Sequence, residues 1–137
     1  MDKSLDALSG PWAGFWLQYG QRGFMRLDLV FASGVVSGTG DDKSGTFTMK
    51  GVYGSEAIEI IKGYDQLSIV LCDAAPVLLY EGRWDGAVVF GRWVQEGDPW
   101  NTGEFEMWPV SGETAMEELL QELEVGEQRP LVTHITF

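Results

Sequence analysis

The sequence predicts an all-β fold: an eight-stranded antiparallel up-and-down barrel with one C-terminal amphipathic helix. The first observation is a glycine–x–aromatic pattern, found as Gly14-Phe15-Trp16, Gly51-Val52-Tyr53, Gly82-Arg83-Trp84 and Gly91-Arg92-Trp93. Each copy lies in an apolar, β-prone run, and residues i and i+2 of a strand share a face. Glycine inside a strand marks a bend, a bulge or a close backbone approach. Repeated over several strands, it predicts a strongly curved sheet closed on itself around rings. The second observation is a series of short runs with period two, separated at regular spacing by Gly, Asp, Ser and Asn. The third is a single change to helical period near the C-terminus.

Residues 1–10 read as a leader whose end frays, residues 11–110 as the barrel, and residues 111–137 as a helix and extended tail packed on the barrel or on a partner. The first strand is Trp12 to Tyr19, followed by a turn over Tyr19–Gly23. Phe24 to Phe31 alternates, with Met25, Leu27, Leu29 and Phe31 on one face and Arg26 and Asp28 on the other. Ala32-Ser33-Gly34 turns the chain into Val35 to Thr39, and Gly40 to Gly45 has the composition of a solvated loop. Thr46 to Tyr53 alternates again, and Gly54-Ser55 leads into Ala57 to Tyr64. Leu67 to Leu71 extends that strand or starts another, and Asp73 to Pro76 breaks it. Val77 to Trp84 and Ala87 to Gln95 flank Asp85-Gly86, a two-residue hairpin signal. Glu96 to Thr102 reads as a polar loop and Gly103 to Val110 as the last strand. From Thr114 to Val125, Met116, Leu119, Leu120 and Leu123 fall at i, i+3, i+4 and i+7, with glutamates opposite and Gly126 as the stop.

The chain has 137 residues, the size of one domain, and a formal net charge of -12. A surface of that sign repels phosphate backbones, so nucleic acid is not an expected partner. It suits solubility, or a basic protein steered in by opposite charge. Part of the excess lies in the C-terminal glutamates from Glu113 to Glu127, so the barrel is closer to neutral. The single cysteine, Cys72, allows no internal disulfide. Met1 to Asp6 has no apolar signal-peptide core, and no run approaches the roughly 20 apolar residues of a membrane span. We expect a cytoplasmic protein with no membrane contact.

The strands resemble the calycin superfamily, and within it the avidin/streptavidin barrel more than the lipocalins. The resemblance covers about residues 10–109. It rests on Gly10-Pro11-Trp12, on Gly38-Thr39, on Gly51-Val52-Tyr53, on Tyr80-Glu81-Gly82-Arg83-Trp84 and on a strand ending in Trp93. It implies the barrel, and it implies that Trp93 and Tyr80 stand where the family has two tryptophans of its biotin cage. The family's polar biotin contacts fall on Gly14, Gly40, Pro76, Leu78 and Gly103, and another cage tryptophan falls on Ile61. Losing several buried donors and acceptors together is incompatible with tight biotin binding.

With Trp93 and Tyr80 inward, alternation brings Trp84 and Leu78 inward too, matched by Trp12 and Trp16 on the first strand and closed by Phe105 and Met107. Two readings of the interior follow. One is an aromatic pocket for a small flat or apolar ligand, with Trp12, Trp16, Tyr53, Lys62, Tyr80, Trp84, Trp93 and Phe105 as its candidate residues. The other is a barrel simply filled by rings, with residues 114–125 and 131–137 holding a partner or a second copy of the chain. Lys62 is ambiguous, because Ile60 and Ile61 leave the inward face of its strand open; facing inward, it needs a carboxylate, carbonyl or ligand partner. Glu81, Arg83 and Arg92 fall on the outward parity.

No catalytic residues, metal site or cofactor are assigned. His134 has no nucleophile motif near it, one histidine and one cysteine give no zinc spacing, and Asp42 breaks any phosphate-loop pattern before Lys43. Asp41-Asp42 reads as a solvated turn, or as a loose cation contact. An isomerase or hydro-lyase on such a barrel is a third reading, and it requires an inward titratable cluster.

Overall fold

The computed structural model describes residues 4–65 and 76–110. A short 3-10 turn, Leu5–Ala7, precedes eight strands: β1 Gly10–Gln18, β2 Gln21–Ala32, β3 Val35–Asp42, β4 Gly45–Tyr53, β5 Ala57–Tyr64, β6 Val77–Trp84, β7 Val89–Gln95 and β8 Asp98–Pro109. Each strand pairs antiparallel with the next, and β1 pairs with β8 to close the barrel. The helix expected over 114–125 and the tail 131–137 lie outside the described residues. Among the described residues no helix is long and apolar enough to cross a membrane.

The turns are tighter than their composition suggests. Tyr19-Gly20 and Ser33-Gly34 are two-residue hairpins in which both residues have positive φ. That is the backbone whose twist matches the flanking strands. As a result β2 begins at Gln21, three residues before the expected start. The segment Gly40–Gly45, expected as a loop, mostly continues the ladder: Asp42 pairs with Gly45, leaving Lys43-Ser44 as the turn. Likewise Gln95 pairs with Asp98, so the expected loop 96–102 is mostly strand and Glu96-Gly97 turns the chain. The Asp85-Gly86 hairpin is wider than two residues. The Asp85 carboxylate accepts from the Ala87 and Val88 amides at 2.8 and 2.9 Å, and β7 starts at Val89.

The alternation read in β2 and β4 holds through the barrel. Met25, Leu27, Leu29, Phe31, Phe47, Met49, Ile58, Ile60, Tyr80, Phe105 and Met107 are buried. Outside, Val30, Val35, Val52 and Ile61 are exposed. Inward glycines make the curvature possible. A Cβ on Gly14 would lie 2.3 Å from the Glu106 carbonyl oxygen, and one on Gly51 1.9 Å from that of Glu59. Several rings also lie over the glycine directly opposite on the neighbouring strand: Trp16 over Gly23, Phe47 over Gly40 and Trp93 over Gly103.

The two ends of the barrel differ. At one end the 3-10 turn inserts Leu5, 2% exposed, into the core cluster that includes Trp12, Phe31 and Trp84, with Tyr53 packed against it. Trp12 packs on Phe31 and Trp84 at centroid distances of 5.4 and 5.9 Å, and its indole donates to the Leu8 carbonyl at 2.8 Å. Tyr53 packs edge-on against Phe31, and its hydroxyl donates to Asp6. The opposite end carries the Tyr19-Gly20, Lys43-Ser44 and Glu96-Gly97 turns.

Candidate functional site

The site is built at that second end. On β5, strict alternation from Ile58 and Ile60 carries Lys62 and Tyr64 inward, while Ile61 is 53% exposed. This settles the facing of Lys62, which is completely buried. Its partner is Asp42, the last residue of β3, which shares the inward face of Val36, Gly38 and Gly40. Lys62 Nζ stands 2.8 Å from Asp42 Oδ2, and neither side chain is exposed. Tyr64 donates to the same oxygen at 2.6 Å, and Asp42 Oδ1 accepts from the Ser44 amide at 2.8 Å. The carboxylate therefore caps a turn and neutralises a buried cation together. The reading of Asp42 as part of a solvated turn is corrected on this point: it caps the turn, but from inside the barrel.

The ammonium lies among rings, 4.2 Å from the Phe47 centroid, 4.7 Å from Tyr64 and 5.5 Å from Tyr80. Such cation–π contacts offset part of the loss of water. Lys62 also donates to the Tyr80 hydroxyl at 3.3 Å and approaches Met25 Sδ at 3.5 Å. Burial pulls the Lys62 pKa below its ordinary value of 10.5, against the opposing pull of Asp42. Burial likewise pushes the Tyr64 and Tyr80 hydroxyls above 10.0, with the Asp42 charge adding to both. The cluster holds one ion pair and two neutral phenols.

Beside it lies a cavity of about 160 Å³. Trp16, Leu78, Tyr80 and Trp93 supply its apolar walls, and Tyr64 and Pro76 complete them. Amides rim it: Gln18 donates to Asn101 at 2.6 Å, and Asn101 to Gln95 at 2.7 Å. Lys43 covers one face of Trp16, with Nζ 5.1 Å from the ring centroid. The Trp16 and Trp93 indole N–H groups are buried and have no acceptor among the described residues. A wider groove of about 230 Å³ lies along the β1–β2 turn and β8, lined by Leu17, Tyr19, Arg92 and Glu104 among others.

Of the residues singled out in the sequence, the structure gathers Trp16, Tyr80 and Trp93 around the cavity, with Lys62 touching Tyr80. Phe105 stacks on Tyr80 at 4.7 Å. Trp12, Tyr53 and Trp84 belong to the opposite, closed end. Asp42 and Tyr64 were not singled out as candidates. Extending the alternation of β3 and β5 by one step would have found both. Among the described residues no cluster of His, Cys, Asp or Glu could hold a metal ion. Comparison with protein-family models, with curated proteins and with solved structures gives no match. The architecture is consistent with a calycin-like barrel, and the likeness to avidin rests on the short motifs alone.

Proposed function

We propose that the protein is a non-catalytic binding protein that holds one small apolar or aromatic molecule inside its barrel. The observation that carries this reading is the aromatic cavity of about 160 Å³ between Trp16, Tyr80 and Trp93. The cavity opens to solvent beside Gln18, Gln95 and Asn101, and its volume is about that of a benzene-sized guest. Biotin is not the molecule proposed. A Cβ on Gly14 would meet Glu106 O at 2.3 Å, and one on Gly103 would meet Leu17 O at 1.9 Å. Neither place has room for the polar side chain that the avidin site uses there. Native mass spectrometry on gently purified protein tests the proposal. A reproducible added mass that leaves on activation supports it. A bare mass at every charge state favours the filled scaffold.

A proton-transfer enzyme of the isomerase or hydro-lyase type is the second reading, favoured by the inward set of Asp42, Lys62, Tyr64 and Tyr80. Binding is preferred on the chemistry of that set. Asp42 is taken up by three donors, and phenols raised above 10.0 are poor bases near neutrality.

A further inference from the structure

The outside of the barrel carries rings where β8 meets β1. Trp12, Gly14 and Trp16 face inward on β1, so Ala13, Phe15 and Leu17 face outward. Phe24 stands opposite Phe15 on β2, and Trp108 stands opposite Ala13 on β8. The Phe15 ring packs edge-on against Phe24 at 6.3 Å and against Trp108 at 5.6 Å between centroids. All three rings are half-buried although they point away from the core, and Ala13 has no exposed surface. The same face continues through Leu17 into the groove of about 230 Å³.

The face has a basic side. Arg22 stands opposite Leu17 on β2, and its guanidinium lies 4.8 Å from the Phe15 centroid. It forms no ion pair among the described residues, whereas Arg26, further along β2, is already paired with Asp41. Glu104 and Glu106 are exposed on β8. An acidic occupant is therefore favoured toward β2 and disfavoured toward β8.

The course of the chain supplies such an occupant. The Val110 amide donates to the Pro11 carbonyl at 2.9 Å, so the chain leaves β8 beside the start of β1. Residues 111–113 span at most about 10 Å, about two strand spacings, which keeps Thr114 beside the seam. From 114 to 125 the sequence sets Met116, Leu119, Leu120 and Leu123 on one helical stripe, bordered by Glu117, Glu122 and Glu124. A helix rises about 11 Å from Met116 to Leu123. Ala13 to Leu17 spans about 13 Å of strand. The tether, the length of the stripe and the sign of its charge all fit this face.

We propose that residues 114–125 dock as a helix on the outer face of the β8–β1–β2 seam, with Met116, Leu119, Leu120 and Leu123 against Phe15, Phe24 and Trp108 and a glutamate beside Arg22. The occupant is the chain's own segment and not that of a second copy, because a three-residue tether holds it at an effective concentration of about millimolar or more. Docked there, the segment clasps the pairing that closes the barrel.

The test uses the full-length protein with 13C-labelled leucine and methionine methyl groups. Nuclear Overhauser contacts are expected between the methyls of Leu119, Leu120 or Leu123 and the rings of Phe15, Phe24 or Trp108, in a monomer by sedimentation. Being intramolecular, these contacts should survive dilution by about tenfold. The double variant Leu119→Asp with Leu123→Asp should speed amide hydrogen exchange over 114–125 by about tenfold or more, the effect of taking a leucine off an apolar surface. Arg22→Glu should speed it by about two- to fivefold, the effect of one exposed ion pair. Unprotected 114–125 amides in the wild-type protein overturn the proposal. So do methyl contacts to rings elsewhere on the barrel, or contacts that disappear on dilution along with a dimer. Where a variant does not fold, the wild-type contacts and their response to dilution still decide.

Discussion

Replacing Asp42 with Asn tests whether the buried pair with Lys62 is an electrostatic unit. Asn preserves the shape and can still accept from the Ser44 amide. It removes the charge that stands 2.8 Å from an ammonium with no exposed surface. Removing one partner of a buried pair costs about 3–5 kcal/mol, a large share of the roughly 5–15 kcal/mol that holds a domain folded. Urea denaturation followed by tryptophan fluorescence reads this directly. With a slope near 2 kcal/mol/M, the midpoint should fall by about 2 M. Lys62→Met alone should also destabilise. The double variant should recover, ending about 2–3 kcal/mol above the sum of the two single losses. The pH response separates charge from packing. Burial lowers the Lys62 pKa from 10.5 and Asp42 raises it, so removing Asp42 lowers it further. A folded-state pKa below the unfolded one means that the unfolded chain binds more protons. Stability of Asp42→Asn should therefore rise with pH from its lowered pKa to about 10.5. A strictly additive double variant, or a single variant with no such rise, refutes the argument.

Three further variants test the barrel and its turns. The Tyr80 pKa is raised above 10.0 by burial, so its contribution is intact below pH 10 and is lost as pH rises toward the folded-state value. Wild-type stability should fall above pH 10 by up to about 1.4 kcal/mol per pH unit for this group, and Tyr80→Phe should reduce that fall in alkaline urea titrations, leaving the share of Tyr64, which burial also raises. Gly51→Ala, whose Cβ would lie 1.9 Å from the Glu59 carbonyl oxygen, should cost about 3 kcal/mol or more. Gly54→Ala, with nothing within 4 Å, should stay within about 0.5 kcal/mol by thermal melting.

The barrel was legible because its signals are local. Period-two alternation in β2 and β4, and the glycine–x–aromatic runs, each reflect the pleat of one strand. What those runs do was only half visible. Trp16 and Trp93 share a face with Gly14 and Gly91, but they lie over Gly23 and Gly103 across the ladder. Those partners depend on register, which no single strand contains. The site was hidden by composition. Gly40 to Gly45 contains the residues of a loop, yet two of them suffice for the turn, and Asp42 points inward. The charge that makes Asp42 look solvated is stabilised by Lys62, twenty residues later in the sequence. Lys62 could be placed only once Ile60 was known to face in. The difference between the two ends comes from Leu5, in a segment that reads as a leader.

The closure of the barrel bears on how the chain folds. Seven of its eight strand pairings join neighbours in sequence, several through two-residue turns, and such hairpins form with little loss of chain entropy. The eighth brings Trp12 opposite Pro109, and the Val110 amide to the Pro11 carbonyl. That seam has by far the largest loop entropy to overcome. Without that seam, β1 and β8 would be bare edges, each able to pair with another chain. Expression at high concentration should therefore be most sensitive to substitutions that weaken the pairing of β1 with β8.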